Sequence, residues 1–123
     1  MGRGVEDLDI YKIATRLEIY IHKVTNHFPK SKKYRSVDQL NRSSSSVCNN
    51  IVEGYDRFSY QDKIKHFYIA RAEAEETRLN IKRSSAKGFI PQKVVKITDK
   101  KYLEVVKGIN GYINFLKNKK NKP

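Results

Sequence analysis

The sequence predicts an all-α fold, an antiparallel up-and-down four-helix bundle, and three observations carry that expectation. Apolar residues recur at alternating spacings of three and four in four separate stretches, which places them on one stripe of a helix each time. Breakers stand between the stretches at Pro29, Ser59 and Gly88 to Pro91. No run alternates with period two and no hairpin dipeptide joins two apolar runs, so strands do not compete. Four amphipathic segments with short connections favour antiparallel neighbours.

The first helix is expected over residues 6–28. Glu6 and Asp7 suit a helix N-terminus, and Ile10, Ala14, Leu17, Ile21, Val24 and Phe28 follow the 3.5-residue period of a bundle seam until Pro29. Lys30, Lys32, Lys33 and Arg35 then make a basic connector. The second helix is expected over 36–57, with a seam of Val37, Leu40, Ser44, Val47, Ile51 and Phe58 that is narrow and partly polar. Serines 43–46 compete for nearby backbone groups and form helix poorly alone, so tertiary packing must hold this segment. Gly54 near its end suits a left-handed or closely packed backbone.

Ser59 to Asp62 reads as a capping box with Asp in place of Glu and opens a third helix over 60–87. Its seam of Ile64, Phe67, Ala70, Ala74, Thr77, Ile81 and Ser84 is thin in apolar volume, and Gly88 ends it. Pro91 is placed as the first residue of a fourth helix over 91–117, where a missing amide hydrogen costs nothing. Val95, Tyr102, Val105, Ile109, Tyr112 and Leu116 form its stripe, widened by Val94, Val106 and Ile113. The basic stretch 117–123 is expected to fray.

The stretch from Gln39 to Gly54 carries a resemblance. Gln39, Leu40, Arg42, Ser46, Val47, Asn50, Ile51, Glu53 and Gly54 resemble the signature of the bacterial four-helix-bundle family encoded in intervening sequences of 23S ribosomal RNA genes. The likeness extends to Phe28-Pro29, Tyr34, Phe67, Ile69-Ala70, Glu76 and Gly88-Phe89-Ile90. Ser43 and Val52 stand where the family often has Ala, and Ala72-Glu73 where it often has Gly-Ser. Similar to that family are the accessory proteins of diversity-generating retroelements, basic bundles that assemble as pentamers and bind a reverse transcriptase and nucleic acid. The resemblance therefore implies the bundle fold, a pentamer, and a reverse transcriptase as a possible partner.

With 123 residues the chain fits one domain, 1–123. Its 26 Lys and Arg against 13 Asp and Glu give a formal charge of +13, which suits a polyanionic partner. One cysteine, Cys48, forms no intrachain disulfide and reads as a small buried hydrophobe. No apolar run approaches the ~20 residues that span a bilayer, and MGRGVEDLD lacks the apolar core of a secretory signal, so the expectation is a cytoplasmic protein without membrane attachment.

Catalytic, cofactor and metal motifs are not found. No Glu is followed three residues later by His, as a di-iron bundle requires, and His22, His27 and His66 are too scattered for zinc. Gly-rich phosphate loops are absent, and Cys48 has no partner that marks a nucleophile. Glu53 and Glu76 are candidate paired acids, but a structural role is the better account. Arg42, Asn50 and Glu53 are expected to form a polar network near the core.

The basic residues are unevenly placed. From Phe89 to Pro123 there are nine Lys and no Arg, opposed only by Asp99 and Glu104. Lys93, Lys96, Lys100 and Lys107 share one helix face away from the seam, with Lys30, Lys32 and Lys33 as a second contact. Lysine without interleaved aromatics suits phosphates rather than bases, so the expected function is non-specific RNA or DNA binding without catalysis. An oligomeric scaffold for a partner protein is the alternative. Tyr11, Ile19, Tyr20, Tyr68 and Phe115 lie off the seams and point to a homo-oligomer.

Overall fold

The computed structural model describes residues 4–122, and for residues 32–34 only the backbone. Four α-helices, α1 (Asp9–Thr25), α2 (Lys33–Asp56), α3 (Tyr60–Ala86) and α4 (Gln92–Lys120), pack around one core as the expected bundle. Each helix packs on its chain neighbours and α1 also meets α4, which closes the four-membered arrangement. Among the described residues there is no strand.

The ends of the helices differ from the expectation for local reasons. Leu8 is extended (φ −70°, ψ 130°), so Val5–Asp7 forms a separate 3-10 turn and α1 starts at Asp9. At its other end α1 stops at Thr25, whose hydroxyl donates to the His22 carbonyl at 2.9 Å. Phe28 still reaches the core from the turn that follows, with its ring 5.7 Å from that of Phe89. A second 3-10 turn, Lys30–Lys32, runs directly into α2, which therefore begins three residues before the expected Ser36. Pro91 caps α4 from an extended conformation instead of standing inside its first turn. Helix α4 also continues three residues past Lys117, to Lys120.

The caps of α3 follow the sequence. Ser59 accepts from the Asp62 amide at 3.1 Å. At the other end Gly88 takes φ 82°, and the amides of Gly88 and Phe89 donate to the carbonyls of Ser85 and Ser84, each at 2.9 Å. This paired arrangement reverses the chain and sets Phe89 against Phe28.

Every seam position expected on α1 and α3 is buried. On α2, Leu40, Ser44, Val47 and Ile51 are buried and Val37 is partly so, but Phe58 falls in the connection to α3 and is fully exposed. The polar seam residues satisfy themselves locally. Ser44 donates to the Asn41 carbonyl at 3.2 Å, and the Ser43 and Thr77 hydroxyls meet at 2.7 Å across the α2–α3 contact. Small side chains there bring the two backbones close.

Gly54 shows how close. It lies inside α2 with ordinary backbone angles, and a Cβ built on it would stand 2.8 Å from Cε2 of the buried Phe67 ring. Gly111 on α4 has open space. Alanine normally gains about 0.5–1 kcal/mol over glycine inside a helix, while overpacking a core costs about 1–3 kcal/mol. Gly54→Ala should therefore destabilise the protein by about 1 kcal/mol or more in urea unfolding, and Gly111→Ala should stabilise it slightly. Equal and favourable effects at both positions would show that α2 and α3 are not in close contact at Gly54.

Candidate nucleic-acid interface

The core stripe of α4 (Val95, Tyr102, Val105, Ile109, Leu116) fixes the direction of everything else on that helix. Lys93, Lys96, Lys100 and Lys107 lie on the opposite side, and all four are exposed. From Lys93 to Lys107 they mark a track about 21 Å long at the usual helical rise.

Each acid of α4 has a cationic neighbour. Asp99 accepts from Arg78 of α3 at 2.7 Å and lies 3.2 Å from Lys82, contacts that hold its carboxyl below the usual carboxylate range, the Arg78 bond foremost. Glu104 lies 3.7 Å from Lys101. Among the described residues none of the four track lysines makes an ion pair. Lys30 is exposed in the α1–α2 connection, at the end of the bundle where α4 begins, as the Phe28–Phe89 contact shows. The side chains of Lys32 and Lys33 lie outside the described residues.

The expected network of Arg42, Asn50 and Glu53 does not form. Glu53 bonds Arg57 one turn on at 3.0 Å, with both side chains about half exposed (47% and 55%). Asn50 donates to the Ser46 carbonyl at 2.9 Å, and its Oδ1 lies 3.1 Å from His66 Nδ1, so it links α2 to α3. Arg42 is exposed. The three residues do share one helix face, but that face runs along the rim of the α2–α3 contact, where Glu53 and Asn50 bond to other residues and Arg42 stays exposed.

That rim holds a polar cavity of about 360 Å³ lined by Gln39, Arg42, Ser43 and Ser46 of α2 and by Glu73 and Glu76 of α3. The acid pair is thus Glu73 with Glu76, not Glu53 with Glu76. Burial raises the Glu73 pKa most, and a hydrogen bond with Glu76 raises it further. Gln39, Arg42 and Ser46, three positions of the signature-like stretch, meet here. Their spacing of three and four is the signal that could have found the cavity.

Cys48 and Tyr102 are both buried. Burial first, and the neighbouring Glu18 carboxylate second, push the Cys48 thiol up to about 12, so it stays protonated at neutral pH. The Tyr102 hydroxyl is fully buried, has no hydrogen-bond partner among the described residues, and is held protonated by that burial. Among the described residues no three His, Cys, Asp or Glu side chains gather as metal ligands. Among the described residues no helix is long and apolar enough to cross a membrane.

Sequence reasoning overlooked the cationic residues around α4 that come from α3 or the last turns. Arg71 donates to Asn110 at 2.7 Å and lies over the Tyr68 ring, and Lys117 lies over the same ring. Only the pairing of α3 with α4 brings them together.

The raised Glu73 pKa has a definite sign. The folded protein holds this proton more tightly than the unfolded chain, so its contribution favours folding at low pH and fades as pH rises through the carboxylate range. Glu73→Gln should raise stability at neutral pH and flatten stability against pH, measured by thermal melts. Matching profiles for the two proteins would place Glu73 in open solvent.

A family model described as 23S rRNA-intervening sequence protein matches residues 6–111. The fold also matches the crystal structure of a protein with unknown function from the S23 ribosomal protein family of Bacteroides thetaiotaomicron VPI-5482. The two chains are 21% identical, the match covers 85% of this chain and 95% of the other, and the TM-score is 0.79. No curated protein matches the chain.

Proposed function

We propose that this chain, which belongs to the 23S rRNA-intervening sequence protein family, is a non-catalytic binder of nucleic acid that contacts phosphates without reading sequence. One observation carries the reading. Lys93, Lys96, Lys100 and Lys107 form an exposed row that makes no ion pair among the described residues, in a chain of net charge +13. Such a row gains from counterion release on any polyanion and carries no information about bases.

Self-association is part of the same reading. Ile19 (53%), Ile69 (38%) and Leu79 (41%) are exposed on the outer faces of α1 and α3, and copies of the chain joined through them would repeat the lysine row. By resemblance the assembly is a pentamer.

The experiment is a salt titration of binding to unrelated duplex and single-stranded oligonucleotides. Affinity should fall with a log–log slope of roughly −0.9 per phosphate contact on duplex DNA and about −0.7 on single strands. The double variant Lys96→Glu/Lys100→Glu should weaken binding equally for unrelated sequences and flatten the slope. Absence of binding by the wild-type protein at low salt would reject the reading, and a scaffold for a partner such as a reverse transcriptase would replace it.

A further inference from the structure

Two ring–cation clusters lie where the last turns of α4 meet the first turns of α3, one around the partly buried Tyr68 at the α3–α4 contact and one around Phe115 on α4 itself. Tyr68 carries Arg71 at 4.8 Å and Lys117 at 5.5 Å from its ring centre. Phe115 carries Lys119 at 5.6 Å and is 50% exposed, although the outward positions around it are Asn, Gly and Lys. Its ring is not loose. Phe115 stacks obliquely on Tyr112 at 5.7 Å, and Tyr112 on the fully buried Phe67 at 4.7 Å, so the exposed ring ends a chain of aromatics rooted in the core.

An exposed ring with a flexible lysine over it suits a nucleobase. The base replaces the ammonium on the ring face, and the released lysine moves to the adjoining phosphate. The lysine row of α4 leads from Lys93 through Lys107 directly into this end of the helix. Asp62, at the start of α3, lines one surface pocket with Tyr68, and Glu6, Asp7 and Asp9 cluster ahead of and at the start of α1.

We propose that Tyr68 and Phe115, with Arg71, Lys117 and Lys119, form a stacking platform for unpaired bases of a single-stranded nucleic acid whose backbone follows the α4 lysines. This rests on the polyanion reading above and goes beyond it, because phosphate contact alone does not distinguish single strands from duplex. Duplex hides its base faces; a single strand offers them.

The chain has no tryptophan, so Phe115→Trp supplies a unique reporter. Oligo(dT) and oligo(rU) of about 15 nucleotides should quench its fluorescence at saturation, while a duplex with the same number of phosphates should not. Tyr68→Leu and Phe115→Leu should each weaken single-strand binding about tenfold by fluorescence anisotropy, leave duplex binding within about twofold, and leave the salt slope unchanged. Circular dichroism checks that each variant is folded. An unquenched tryptophan on saturated single strands, or equal losses on duplex and single strands, overturns the platform while the lysine reading stands. If the wild-type protein binds neither ligand at low salt, both fall. The dT and rU arms separate a DNA ligand from an RNA ligand.

Discussion

The close approach of α2 to α3 is the constraint on which the rest of the molecule depends. Ser43, Ser44, Ala70, Ala74 and Thr77 supply small side chains along that contact, and Gly54 lets the Phe67 ring lie against the α2 backbone. Buried hydroxyls would be costly without partners, yet each finds one within a few residues or across the contact. Larger side chains would force the helices apart and disturb Phe67. Because Phe67 supports Tyr112, and Tyr112 supports Phe115, a change at Gly54 would be felt at the surface of α4.

The same packing sorts the charges. With the inward positions filled by apolar groups and by hydroxyls that, Tyr102 excepted, find partners, ionic side chains remain at the rims and on the outer faces. Arg78 sits between Glu75 and Asp99, a half-buried cation between two carboxylates that joins α3 to α4. By engaging Asp99 on the α3 side, it leaves Glu104 as the one exposed carboxylate among the lysines of α4. Glu73 and Glu76 stand instead at the α2–α3 rim, where they line one cavity with Arg42 and burial raises the Glu73 pKa.

Much of this was legible in the sequence, and the failures have physical causes. The seams of α1, α3 and α4 obey a helical period that the bundle preserves, and Ser59 and Gly88 act through local backbone chemistry. Phe58 was misplaced because periodicity continues on paper past the point where α2 ends. The Arg42, Asn50 and Glu53 network failed because one helix shows which groups share a face but not what the neighbouring helix offers them. His66 and Glu73, the groups facing that stretch, come from α3. For the same reason, the lysine row was visible within α4 alone, whereas Tyr68 and Arg71 joined it only after the helices paired.

The central claim is that the outer face and final turns of α4 are where a nucleic acid sits. An amide NMR titration of the isotope-labelled protein with a short single-stranded oligonucleotide at low salt tests it directly. The account predicts that the largest shifts cluster on residues 93–120 of α4 and around Tyr68 and Arg71, with the α2–α3 rim unmoved. Shifts centred on Arg42, Ser46 and Glu73, or spread evenly over the surface, would contradict it.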